Sequence, residues 1–123
     1  MISTSYFAVY RGNCGVSIAL WPPRFFKGPS YKQLAPTRYI LDKYKIDGNE
    51  AEYRQAYVSD VLKKLDAREV YDQLDGKTIL CYENLNINSF CHRRIVAEWL
   101  TYELSVDVPE LSPADLNRLC MKQ

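Results

Sequence analysis

Cys81-Tyr82-Glu83 and, after seven further residues, Cys91-His92-Arg93-Arg94 bring two thiols, a carboxylate, the single histidine and two arginines to the ends of one loop. An apolar run precedes the first group and an amphipathic pattern follows the second, so the loop joins a strand to a helix N-terminus. Free amide donors and a partial positive charge collect there. Phosphate binding is the chemistry this layout suits first: strand end, turn and helix start form a cradle, with Arg93 or Arg94 as the clamp and His92 beside it. Glu83, Cys91 and Cys81 are the candidate catalytic groups. A carboxylate buried without a partner becomes a general acid or base. A thiol at a helix start beside His92 has its ionisation favoured and becomes a nucleophile.

Each of these groups also has a structural use. Glu83 at the end of an apolar strand is costly to desolvate unless Arg93, Arg94 or Arg24 meets it. The cysteines can pack as small buried side chains, and His92 can hydrogen-bond the helix start. Cys91-His92-Arg93 lacks the six-residue spacing from cysteine to arginine of phosphatase and sulfurtransferase loops, and the span from Cys81 is too long for one, so covalent catalysis ranks behind binding. Cys81, Cys91 and His92, with Glu83 as a fourth group, are ligand types for zinc. Neither close-spaced ligand pair of the common structural sites is present, however, and no metal is assigned. The cofactor is left unknown.

A second feature lies upstream. Residues 1–45 hold seven Lys or Arg against Asp42 alone, a balance of +6, while residues 46–123 balance at −5. Trp21, Phe25, Phe26, Tyr31, Tyr39 and Tyr44 interleave with that basic charge. Rings beside cations are how base-stacking, phosphate-pairing sites are built, although aromatic residues at this density also serve as core. Trp21, Arg24, Lys27, Tyr31 and Lys32 are therefore the candidate ligand-binding residues of the loop, with His92, Arg93 and Arg94 completing the set.

The elements that must position these groups follow from pattern. Residues 5–10 and 15–20 read as strands around an Arg11-Gly12-Asn13 turn, and Trp21-Pro22-Pro23 ends the second. Residues 31–44 form helix interrupted by Pro36. After Asp47-Gly48-Asn49, a stripe of Tyr53, Tyr57, Val61, Leu62 and Leu65 makes an amphipathic helix. Asp66 and Glu69 open a shorter one that Asp75-Gly76 breaks. Residues 77–82 read as a buried strand, and Ile95, Val96, Trp99, Leu100 and Leu104 as the inward stripe of a helix starting near Cys91. Residues 105–108 are a plausible closing strand. Ser112-Pro113 caps a final helix facing inward through Leu116, Leu119 and Cys120. Strands alternating with helices imply an α/β fold: one compact domain over residues 1–123, with a short, mostly parallel central sheet and flanking helices.

Composition bounds the class. A chain of 123 residues, 47% hydrophobic and 25% charged, has core enough to fold alone. No stretch approaches the length of a membrane span and no secretory leader opens the chain, so a cytoplasmic protein without membrane contact is expected. Its four cysteines are expected to be reduced, with Cys14 and Cys120 in the core.

Tyr6-Phe7-Ala8, Val16-Ser17-Ile18-Ala19, Phe26-Lys27-Gly28, Leu34-Ala35-Pro36 and, above all, Leu80-Cys81-Tyr82-Glu83 with Phe90-Cys91-His92-Arg93 and Ala97-Glu98-Trp99-Leu100 resemble the domain-of-unknown-function 488 family over nearly the whole chain. The resemblance implies a small prokaryotic or viral protein and no particular activity. Relatives typically follow Cys-Tyr-Glu with Lys-Pro and a shorter loop, where this chain has Asn84-Leu85 and a longer loop, removing a cation from any anion site there. The function expected is binding of a phosphate-bearing nucleotide or nucleic acid by the turn from Cys81 to Arg94 facing the basic aromatic loop over 21–32. A hydrolase or transferase acting on such a ligand through Glu83 or a thiolate, and a protein-interaction module, are the alternatives.

Overall fold

The computed structural model describes residues 1–82 and 91–112. Three short strands, β1 (Ser3–Tyr6), β2 (Gly15–Ser17) and β3 (Thr78–Cys81), form a parallel sheet in the order β1-β3-β2. Ser3 stands opposite Thr78 and Tyr6 opposite Cys81 on one side of β3; Gly15 stands opposite Thr78 and Ser17 opposite Leu80 on the other. Alternation along the strands then sends Thr4, Tyr6, Val16, Ile79 and Cys81 to one face and Ser3, Ser5, Gly15, Thr78 and Leu80 to the other.

Side-chain caps open three of the four α-helices among the described residues. Helix α1 (Arg38–Asp47) begins after Pro36, with the Thr37 hydroxyl accepting from the Ile40 amide, and ends on Gly48 at φ 60°. Asn49 caps α2 (Glu50–Asp60), and Asp66 accepts from the Arg68 and Glu69 amides to cap α3 (Ala67–Leu74). Helix α4 (His92–Leu104) starts directly after Cys91. The expected α/β domain with a short parallel sheet and flanking helices is what forms. No helix among the described residues is long and apolar enough to cross a membrane.

Several boundaries differ from the sequence expectation. The first strand lies at Ser3–Tyr6 because the Val9 and Tyr10 amides turn back to the Tyr6 carbonyl. The stretch over 31–44 splits at Pro36 into a single 3-10 turn, Lys32–Leu34, and α1. The apolar stripe reaching Leu65 leaves α-geometry at Asp60 and continues as a 3-10 turn, Leu62–Lys64. Residues 105–108 are not a strand. Ser105 closes α4 in the left-handed region, and among the described residues beyond it a single bridge, Thr4 with Glu110, pairs with the sheet, the Thr4 amide donating to the Pro109 carbonyl and the Leu111 amide to the Thr4 carbonyl. Pro109 has no amide to extend that ladder. The expected final helix with Cys120 lies outside the described residues.

The helix-facing core joins Ile2, Val16, Ile18 and Ile79 to Tyr57, Val70, Leu74, Ile95, Val96 and Leu100. A smaller cluster of Phe7, Tyr10, Ala19 and Leu80 covers the other face. Gly15 belongs to the tight side: a Cβ there would stand 2.7 Å from Leu80 Cδ1 and 3.0 Å from a Tyr10 ring carbon, so alanine at 15 must displace one of them. Fully buried Tyr57 donates its hydroxyl to the Leu34 carbonyl at 2.6 Å, tying α2 to the 3-10 turn ahead of α1. Tyr57→Phe removes that donor and strands a buried carbonyl. Urea denaturation is expected to show a loss of about 1–2 kcal/mol, and an unchanged midpoint would contradict the role assigned to this bond.

Candidate functional site

The last residues of the sheet, Ile18 beyond β2 and Cys81 in β3, meet the first turn of α4 at one point. Cys81, Cys91 and His92 are all buried, and one ligand atom from each lies within 4.8 Å of the others. Cys81 and Cys91 are paired through their sulfurs as a disulfide, which corrects the expectation that all the cysteines are thiols; Cys14 is buried outside that pair, its Sγ donating to Asn13 Oδ1 at 3.7 Å. A residue at a strand end and a residue at a helix cap meet only because β3 and α4 pack side by side.

His92 is held as a neutral imidazole. Its Nε2 donates to the Ile18 carbonyl at 2.8 Å and its ring meets Tyr57 edge-on. A carbonyl can only accept, so Nε2 carries the proton and Nδ1 keeps its lone pair. Burial pushes the pKa down to about 4; the Ile18 bond acts in the opposite sense and the neighbouring Arg93 cation lowers it further.

The arginines turn inward. Arg93 is fully buried; Nε donates to Glu110 Oε1 at 2.9 Å and Nη2 to Oε2 at 2.8 Å, a bidentate fork. Its third nitrogen, Nη1, donates to Cys81 Sγ at 3.0 Å, and the guanidinium lies 5.4 Å from the Tyr6 ring centroid. Arg94 Nη1 donates to Thr4 Oγ1 at 2.9 Å and to the Val108 carbonyl at 3.0 Å. Both therefore clamp α4 to β1 and to the returning segment, and neither is aimed at an outside phosphate as the clamp reading expected. Glu83 lies outside the described residues, and the carboxylate that Arg93 meets here is Glu110.

The loop over 21–32 is split between two cavities. One, of about 340 Å³, opens at the C-terminal edge of the sheet on the helix side. Trp21 and Tyr82 stand at its rim, Tyr44, Lys45 and Tyr53 line the α1 and α2 side, and Cys81 and His92 form the floor. The other, of about 820 Å³, lies on the opposite face over Leu80 and takes Lys27, together with Arg11, Phe25 and Phe26. Adjacent residues of β3 point to opposite faces, so Leu80 and Cys81 belong to different cavities. The larger cavity holds none of the sulfur and imidazole chemistry; the smaller is the candidate site. Arg24 is exposed, Tyr31 donates its hydroxyl to Gln73 Oε1, and Lys32 Nζ is bound to the Leu20 carbonyl.

Of the predicted residues, the fold thus unites Trp21, Cys81, Cys91 and His92, sets Arg93 behind them on Cys81 Sγ, and takes Lys27, Tyr31 and Arg94 elsewhere. It adds Lys45, Tyr44 and Tyr53, which α1 and α2 turn toward the strand ends. The signal for Tyr44 and Lys45 was the ring-and-cation interleaving that extended past residue 32, whereas Tyr53 belonged to the apolar stripe of its helix. Glu110 had none, because its partner lies across a chain reversal.

Residues 16–104 match the profile of a family described as the active DUF488-N3 subclade. The chain belongs to the DUF488 family. No curated protein and no solved structure matches it. The matched span takes in β2 from Val16 onward, helices α1 to α4, β3 and the Cys81, Cys91, His92 cluster, so every side chain named in the smaller cavity of this DUF488 domain falls within it.

Proposed function

We propose that this DUF488 domain binds a phosphate-bearing nucleotide, free or at the end of a nucleic-acid strand, in the cavity at the C-terminal edge of its sheet. The observation that carries this reading is the cavity lining. Exposed Trp21 and Tyr82 offer ring faces and Lys45 a cation, and among the described lining residues there is no carboxylate. The Tyr82 hydroxyl donates to the Trp21 carbonyl, joining the two parts of the rim. A cavity of about 340 Å³ falls at the small end of the range that holds small ligands, about 300–1,000 Å³. Parallel α/β sheets take ligands beyond their strand C-termini. The base stacks at the rim and the phosphate pairs with Lys45, in a cytoplasmic setting.

Turnover is the second reading. Arg93 Nη1 donating to Cys81 Sγ would favour a thiolate once the pair is reduced, and the subclade is described as active. In that reading Cys91→Ser or Glu83→Gln abolishes turnover while binding persists.

Calorimetric titration with nucleoside 5′-monophosphates tests binding. Trp21→Ala is expected to weaken affinity by about 1–3 kcal/mol, the usual worth of one stacked base. Lys45→Ala should weaken it and flatten its salt dependence. Absence of binding at millimolar nucleotide, or full affinity in both variants, removes the reading.

A further inference from the structure

We propose that in the reduced protein Cys81, Cys91 and His92 hold a thiophilic divalent metal ion of the zinc class, with its fourth position facing the cavity. This goes beyond nucleotide binding and does not depend on it.

Three observations converge. The two sulfurs and a ring nitrogen of His92 lie within 4.8 Å of one another and all three residues are buried, so reducing the disulfide leaves both thiols beside the imidazole. His92 is prepared as a ligand: its Nε2–H is committed to the Ile18 carbonyl, which fixes the tautomer and leaves Nδ1 as the donor atom. Histidines on metals are characteristically oriented by such a bond from the other ring nitrogen. Arg93 Nη1 donates to Cys81 Sγ at 3.0 Å, a hydrogen bond that supports a thiolate and offsets the charge of two thiolates on one ion.

The backbone spacing agrees. The Cα atoms of Cys81 and Cys91 are 7.0 Å apart, beyond the about 4.4–6.8 Å usual for a disulfide. Cysteine pairs in cytosolic chains serve metal binding or catalysis more often than structural bridging. Three protein ligands with an open fourth position are the pattern of catalytic rather than structural zinc. Cys81 and His92 line the cavity, so water or a bound ligand can reach that position. The disulfide is then the oxidised, metal-free form of the site. With a phosphine reductant the conversion balances: the S–S bond breaks, phosphorus is oxidised to phosphine oxide with oxygen from water, and the two protons of that water pass to the sulfurs. Both protons leave as the thiolates take the ion.

The test uses metal alone on the full chain, reduced with a phosphine, desalted and kept free of oxygen. Cobalt(II) titration is expected to saturate at one equivalent with a thiolate-to-cobalt charge-transfer band. Cys91→Ser should about halve the band, and Cys14→Ser should leave it unchanged. His92→Gln should lower cobalt affinity at least about tenfold, the loss that even an outer hydrogen-bond partner of a ligand commands. Zinc should shield two of the four thiols from alkylation, mapping to Cys81 and Cys91. A folded, reduced wild-type protein that shows no charge-transfer band, or four thiols alkylated at the same rate with and without zinc, overturns the site. These readings use the wild type and so survive a variant that fails to fold. They contain no nucleotide, so failure here is distinct from failure of nucleotide binding.

Discussion

Replacing Arg93 by methionine is expected to lower unfolding stability by about 3 kcal/mol. The side chain is fully buried, and its guanidinium answers the Glu110 carboxylate with two bonds, Cys81 Sγ with a third, and the Tyr6 ring. Methionine fills much of the volume but leaves Glu110 with Thr4, whose hydroxyl donates to Oε1 at 2.6 Å, as its remaining described side-chain partner. Glu110 keeps a 29% exposed side chain, so water recovers part of the loss and the estimate sits at the low end of the range for a broken buried pair. Lysine at 93 keeps the charge without the planar fork and should fall between the two. Because the two residues share one interaction, Arg93→Met with Glu110→Gln should cost clearly less than the sum of the single changes. Urea midpoints for the wild type, the three single variants and the double variant decide it. A loss below about 1 kcal/mol for Arg93→Met would place the pair in the class of surface ion pairs and remove the anchoring role.

Acid should destabilise the metal-free protein through one imidazole. His92 titrates at about 4 in the folded chain, against an ordinary 6.5, first because burial penalises its charged form and then because Arg93 adds a like charge. The sign follows from that direction. Below 6.5 the unfolded chain binds a proton that the folded chain refuses, so the contribution is whole above pH 6.5 and drains as pH falls toward 4. A difference of that size corresponds to about 3 kcal/mol. The groups around the ring agree with a neutral form: the Ile18 carbonyl takes Nε2–H, the Tyr57 ring stands edge-on, and Arg93 is already a cation. His92→Gln should abolish this part of the slope between pH 6.5 and 4 while leaving that of the carboxylates. The chain has one histidine, so its NMR titration is unambiguous. A midpoint near 6.5 would mean that the ring reaches water and the buried geometry is not the one in solution.

Much of the scaffold was legible in the residues. Caps at Asn49 and Asp66, the break at Pro36, glycine at 48 and the apolar run ending at Cys81 are local signals, set by the sterics and hydrogen bonding of a few neighbours. They place three helices, the central strand and the start of α4 within a few residues. The grouping of Cys81, Cys91 and His92 at the two ends of one loop was legible as well, although their meeting also needed β3 and α4 to pack side by side.

What each charged group faces was decided only by the tertiary structure. Arg93 and Arg94 follow His92 directly, and as residues they suit a phosphate clamp. Their direction depends on helical phase against the sheet and on where the chain returns after Ser105, and that return brings Glu110 and the Val108 carbonyl to them. Lys27 and Trp21 share a loop of alternating rings and cations, yet the two-residue alternation of β3 sets Leu80 and Cys81 on opposite faces and so assigns them to different cavities. The sequence by itself determined the element types and the chemistry gathered at the end of β3, because those depend on near neighbours. The tertiary structure decided which cations are spent within the core and which remain at a cavity, because that depends on side-chain direction and on contacts between residues far apart in the chain.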